Sequence, residues 1–139
     1  MSAYIVMKCD FIADTDTLCN ALTKLGLKYE QHPEPVSLIG WEGDARDLKA
    51  EIVVRKKEIN SKFTGFSNDI GFRWSAANNR YDIICSDYDT QNKMDERVKQ
   101  AYAATAVEQA MKRKDFRIES QFCGQRTLGD VVTIGVKVI

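Results

Sequence analysis

Ile70-Gly-Phe-Arg-Trp-Ser-Ala-Ala-Asn-Asn-Arg-Tyr-Asp-Ile-Ile-Cys85 is the stretch that decides the fold. Ile70, Phe72 and Trp74 alternate on one side of a polar segment, Ser75 to Arg80, and Tyr81, Ile83 and Cys85 alternate on the other. Two runs of strand period joined through Asn78-Asn79 predict a β-hairpin, because asparagine tolerates the positive φ that tight hairpin turns require.

Working outward toward the N-terminus, Ala50, Ile52 and Val54 alternate with Glu51, Val53 and Arg55 as another strand. Val36 to Trp41 reads as a strand and Leu27 to His32 as a short one. Pro33 and Pro35 predict a turn between them, since proline cannot donate to a ladder and restricts its predecessor. Glu42 to Lys49 is polar, and Asn60 to Asn68, with Gly65 among Ser and Asn, reads as a loop. Before these, Ala3, Ile5, Met7, Cys9 and Phe11 occupy the odd positions of a first strand, whose odd face is expected to look inward. Leu18, Ala21, Leu22 and Leu25 then recur with helical spacing after a cap at Asp14 or Asp16, and Gly26 stands where a left-handed C-cap belongs.

Toward the C-terminus, Thr90 or Asn92 is expected to cap a second helix, with Asp95 and Glu96 in its first turn. Lys112, Arg113 and Lys114 fall in its last turn, and it is expected to end near Asp115. Its apolar residues lie on two sides: Val98, Ala101 and Tyr102 on one, Ala103, Val107, Ala110 and Met111 on the other. Phe116, Ile118 and Phe122, then Val132, Ile134, Val136 and Val138, predict a closing hairpin around Gly124 to Gly129. The expected order is β-α-β-β-β-β-β-α-β-β, a single α+β domain over 1–139 with two helices packed on an antiparallel sheet.

At 139 residues, 44% apolar and 29% charged, the chain is long enough for one core and far from the composition of disordered segments. Twenty Lys+Arg balance twenty Asp+Glu, so no net field draws it to phosphate backbones or an anionic membrane. No apolar run spans a bilayer, and Lys8 and Asp10 interrupt the N-terminal stretch where a signal peptide is uniformly apolar. A soluble cytoplasmic protein is expected. Cys9, Cys19, Cys85 and Cys123 are widely spaced with one histidine in the chain, which fails the zinc and thioredoxin templates and predicts reduced, metal-free thiols.

Trp41-Glu-Gly43, Ala50-Glu-Ile-Val-Val54, Asp69-Ile-Gly-Phe72, Tyr81-Asp-Ile-Ile-Cys-Ser-Asp87 and Ala101-Tyr-Ala103, in that order before a final hairpin, are similar to a known set. They resemble the plastid and cyanobacterial hypothetical reading frame family thirty-five, also catalogued as domain of unknown function twelve-fifty-seven. The resemblance covers nearly the whole chain. It implies a small soluble protein of cyanobacteria, of plastids (hence the stroma) or of the viruses of such cells, and it brings no established activity.

No catalytic constellation is complete. A Ser-His-acid or Cys-His group would have to use His32, which reads as a solvated loop residue. Asp69, Asp87 and Asp89 form the acidic alternative, for acid-base work or for hard-metal binding with Asp95 and Glu96. The EF-hand template fails there, since Asn92 replaces its glycine and Val98 its final glutamate. No phosphate-cradling glycine motif occurs. Arg55, Lys56 and Lys57, with Lys62 nearby, form a basic cluster, and Arg73 with Trp74 places a cation beside an aromatic, as single-stranded nucleic-acid platforms do. The leading expectation is a non-enzymatic binding or accessory module, without cofactor, that meets a protein partner or itself through Val107 and Met111.

Overall fold

The hairpin read from residues 70–85 is the middle of the sheet. Strands Ile70–Ser75 and Arg80–Ser86 pair antiparallel, Phe72 opposite Ile83 and Trp74 opposite Tyr81, with Asn79 at φ 53° in the turn. The computed structural model of the chain describes residues 3–9, 11–63, 67–112, 116–118 and 136–138. In chain order the elements are β1 (Tyr4–Lys8), α1 (Thr15–Lys24), β2 (Glu30–Ile39), β3 (Ala45–Val54), α2 (Lys56–Lys62), β4 (Ile70–Ser75), β5 (Arg80–Ser86), α3 (Asp87–Gln91), α4 (Met94–Met111), β6 (Phe116–Ile118) and β7 (Val136–Val138). The fold is α+β. Contacts divide the chain into two compact units, Met1–Tyr102 and Ala103–Ile139.

The first unit is built on an antiparallel sheet ordered β1-β5-β4-β3-β2. One face carries Ile52, Phe72 and Ile83, none more than 1% exposed. α1 is tied to this face, because Thr15 Oγ1 lies 2.6 Å from the Tyr81 hydroxyl. Asp14 caps α1 by accepting from Thr17 N–H at 2.9 Å, and Gly26 ends its loop at φ +78°. The Tyr102 hydroxyl of α4 in turn accepts from Ala13 and Asp14 N–H, so α4 steadies the entry to α1.

The opposite face is closed by the β2–β3 hairpin itself. β1 and β2 are the two edges of the sheet, roughly 19 Å apart if the sheet were flat, at about 4.8 Å per strand step. Yet the Tyr4 hydroxyl of β1 lies 3.4 Å from Ile39 O of β2, and the Arg46 guanidinium of β3 sits 5.0 Å from the Tyr4 ring centre. The outer half of the β2–β3 hairpin therefore curls back over the sheet. It seals a second small core of Leu38, Ala50, Val53 and Ile84, all 0% exposed, with Tyr4, Val36 and Leu48 at its margin. Gly71 permits this closure: a Cβ there would lie 2.7 Å from Ala50 Cβ and 3.0 Å from Leu38 Cδ1.

Several local expectations change. Pro33 and Pro35 do not make a turn; they lie inside β2, where the register shifts between Gln31 and Val36. An edge strand tolerates them because a proline without N–H costs nothing on the unpaired side. His32 is consequently a strand residue, 2.8 Å from Glu30 Oε1, and not a solvated loop residue. Residues 45–49 belong to β3, and α2 replaces the first part of the loop read from Asn60. Ala50 packs with Val53, not with Ile52.

Of the odd residues expected to face inward only Cys9, just past β1, is buried, while Ile5 within it is 39% exposed; Phe11 lies further on, 45% exposed against the Tyr102 ring. An edge strand meets a neighbour on one side only, so burial there is weak. Asn92 closes a helix instead of opening one. Ser86 caps α3, Asn92 is its C-cap, Lys93 takes φ 63° and α4 starts afresh at Met94.

β6 and β7 of the second unit pair antiparallel, Arg117 opposite Lys137. The expected positions of Cys123, Phe122, Val132 and Ile134, and of Arg113, Lys114 and Asp115, lie outside the described residues. Among the described residues no helix is long and apolar enough to cross a membrane.

Candidate functional site

The first unit gathers its polar chemistry where β3 passes into α2 and β4 begins. Val54 pairs with Ile70, so Arg55 and Asp69, one residue beyond each, are brought together by the ladder. Arg55 Nη1 donates to Asp69 Oδ2 at 2.8 Å, and its Nε and Nη2 form a fork on Glu30 Oε2 and Oε1 at 2.9 and 2.8 Å. Such a two-point fit fixes both position and direction. The Asp69 carboxylate also accepts from Ile39 N–H and Lys56 N–H, both at 2.8 Å. Asp69 is thus the distant cap of α2 and the clasp of the curled hairpin at once.

Lys56 reinforces the clasp, its ammonium donating to Gly40 O at 2.7 Å and Trp41 O at 3.2 Å. Asn68 Oδ1 accepts from Trp41 N–H at 2.6 Å. The hydrogen bonds from Arg55, followed by those from His32, hold the Glu30 carboxyl at about 2 against the opposing effect of partial burial. The same Glu30 partnership raises Arg55 above its already high value. An open cavity of about 370 Å³ adjoins this network, with Ser37, Ile39 and the exposed Lys57 completing its wall.

Residues 21–130 match the model of a family described as a protein of unknown function, DUF1257. The chain belongs to the DUF1257 family. No curated protein and no solved structure matches it.

In this DUF1257 protein the acidic residues are brought near one another through main chain, not as an open carboxylate cluster. Asp89, 0% exposed, accepts from the Ser67 and Ser86 hydroxyls and from Asn68 N–H, one residue before Asp69. Burial raises its pKa, and these hydrogen bonds oppose the rise. Tyr4 donates its hydroxyl to Asp69 O at 2.8 Å, and burial, followed by the Asp69 charge, raises that phenol. Asp87 accepts from Tyr88 N–H in the first turn of α3. Among the described residues no group of three or more His, Cys, Asp or Glu is placed to hold a metal ion.

The basic and aromatic residues of the DUF1257 chain fall in two places. Arg55, opposite Asp69 just before β4, leads into Lys56 and Lys57 of α2, whereas Arg73 and Trp74 lie four and five residues further along β4, about 13 and 16 Å at about 3.3 Å per residue. Arg73 shares a face with its partner Asp82, while Trp74 packs edge-on against Tyr81 on the other face, ring centres 5.0 Å apart. A stacking platform needs cation and ring on one face, which adjacent strand residues do not share.

On α4, Val98 and Tyr102 are buried, Val107 is half-buried, Ala103 is exposed and Met111 is 44% exposed. Glu30, Ser37 and Asn68 belong to no motif read in the sequence, and Trp41-Glu-Gly43 enters there only through the family resemblance, with no site role. Their partners lie 18 to 27 residues away in the bonds Arg55–Ser37, Arg55–Glu30 and Trp41–Asn68, so only the curl of the hairpin reveals them.

Proposed function

We propose that the chain is a non-enzymatic binding or accessory module that acts through a protein partner or a second copy of itself. One observation carries this reading: Asp69 and Asp89, the buried carboxylates of the acidic alternative, are committed to structure. Asp69 accepts from Arg55 and two main-chain N–H groups, and Asp89 from two hydroxyls and one N–H. A general base needs a lone pair facing substrate. What remains unused is exposed apolar surface, including Met111 on α4 beside half-buried Val107.

The test is the double variant Val107→Glu with Met111→Glu, examined by light scattering and by thermal melt. Folding is expected to survive while self-association or capture of a partner is lost, because charge is tolerated on a free helix side and costly inside an interface. Loss of folding would assign this side to the core, and unchanged association would remove α4 from the interface.

A further inference from the structure

The two edges of the five-stranded sheet are unlike. β2 carries Pro33 and Pro35 and shifts its register against β3 twice, and such features keep an edge from pairing further. β1, at the other edge, reads Tyr-Ile-Val-Met-Lys and pairs with β5 in unbroken register from Tyr4 opposite Ser86 to Lys8 opposite Asp82. Asp87 N–H donates to Ala3 O at 2.8 Å, which fixes the phase of that ladder. Bonded pairs alternate along antiparallel strands, so Ile5 and Met7 exchange hydrogen bonds with Cys85 and Ile83. Tyr4, Val6 and Lys8 therefore turn their N–H and C=O groups away from β5. Among the described residues those outward groups meet no other main chain. Ile5 and Val6 are 39% and 47% exposed, and neighbours on a strand point to opposite faces, so both sides of this edge carry apolar surface.

We propose that β1 is a dimerisation edge, pairing antiparallel with β1 of a second copy across a two-fold axis at Val6. In that register Val6 faces its own counterpart, Tyr4 faces Lys8 of the second copy, and Ile5 faces Met7. Every outward-turned N–H and C=O of the strand is then used. The one charge of β1, Lys8, meets a tyrosine, whereas an axis at Lys8 would oppose two ammonium groups. An edge that matches itself under a two-fold is what an isologous contact between copies requires. Because β2 is barred to further pairing, assembly stops at two copies, their sheets joined into one. The proposal rests on the binding-module reading, names the partner as a second copy, and does not involve α4.

Sedimentation of the full chain over a range of concentrations is expected to show a monomer–dimer equilibrium. Val6→Pro is the selective variant. It deletes an N–H that β5 does not use, which an edge strand tolerates, yet it removes a bond on each side of the two-fold. Dimerisation should weaken about ten-fold or more. The thermal melt, taken where both chains are monomeric, should change little. Val6→Lys and Val6→Glu should each be monomeric alone and dimerise when mixed, because the two charges then face each other. Amide exchange gives a second readout: the Val6 amide should gain protection as concentration rises, whereas that of Ile5, bonded to Cys85, is protected already in the monomer.

A chain that stays monomeric up to about 1 mM would overturn the proposal and leave the edge to a strand of another protein. So would a dimer that folded Val6→Pro and Val6→Lys leave intact, or a mixture of Val6→Lys and Val6→Glu that stays monomeric. If the Val6 variants leave association unchanged while the α4 double variant abolishes it, the binding-module reading stands and this edge falls. The reverse result keeps the edge and removes α4.

Discussion

Arg55 and Asp69 meet at 2.8 Å with the Asp69 side chain 1% exposed, and this pair joins the entry of α2 to the entry of β4. Removing the carboxylate leaves Arg55 with Glu30 and the Ser37 carbonyl and strands the N–H groups of Ile39 and Lys56. Asp69→Ala is expected to cost about 3–5 kcal/mol in urea melts, the range for breaking a buried pair from one side. Arg55→Met added to it should cost less than the two single losses summed, because the Arg55–Asp69 bond is already gone. A cost below about 1 kcal/mol would show that something other than this carboxylate holds the hairpin.

Gly71 is the position over which the curled hairpin passes most closely. A methyl group there meets Ala50 Cβ at 2.7 Å, backbone-proximal and unable to swing away. Gly71→Ala should destabilise by about 1–3 kcal/mol through overpacking. Ala50→Gly in the same chain removes the obstructing atom and should raise the melting temperature above that of Gly71→Ala alone. A melt unchanged by Gly71→Ala would mean that the hairpin does not press on the sheet in solution.

The central hairpin is legible in residues 70–85 because both strands alternate with period two and Asn78-Asn79 lies between them. α1 is legible for the same kind of reason, its buried Leu18, Ala21 and Leu22 being spaced for one helical face between Asp14 and Gly26. β2 is not, because Pro33 and Pro35 signal a break that only its place at a sheet edge makes tolerable. α2 is not, because its one buried residue is Ile59 and its cap, Asp69, lies 13 residues beyond Lys56. Asp69 and Asp89 stand out as carboxylates near strand ends, yet their structural role depends on donors from other elements. A local reading of charge therefore finds the residues and misses what they do.

Leu22 is 0% exposed in the core beneath α1. Leu22→Ala should cost about 2–5 kcal/mol in a denaturant melt, the usual range for truncating a buried leucine. A loss under about 1 kcal/mol would place α1 away from the main core.

Cys9, Cys19 and Cys85 are buried free thiols. Burial pushes Cys85 up to about 11, against the opposing Thr90 hydrogen bond, and raises Cys19 as well. Burial keeps all three from a reagent, and the raised pKa leaves Cys19 and Cys85 little thiolate besides, so a disulfide reagent near pH 8 should label these three far faster after unfolding than before. The unfolded reduced chain should then yield its four thiols. Rapid native labelling of Cys85, or zinc in the purified protein, would contradict this.

Glu30 provides a test of the ionic network by pH. Arg55 donates two hydrogen bonds to it, His32 lies 2.8 Å from Oε1, and together they pull its pKa from 4.5 to about 2 against partial burial. A carboxyl with a depressed folded pKa binds its proton more weakly in the native state than in the unfolded chain. It therefore contributes stability that is complete above the unfolded value and disappears as pH falls through the folded one. For Glu30 that window runs from 4.5 down to about 2. Because the side chain is 41% exposed, solvent screening keeps the effect modest and its direction is the test. Urea melts of the natural chain and Glu30→Gln should show a constant gap above about pH 5 that narrows steadily in more acid solution. His32→Ala should leave most of that narrowing, since Arg55 is the stronger cause. A gap that holds constant to about pH 2.5, or widens, would mean that Arg55 does not keep Glu30 ionised in the folded protein.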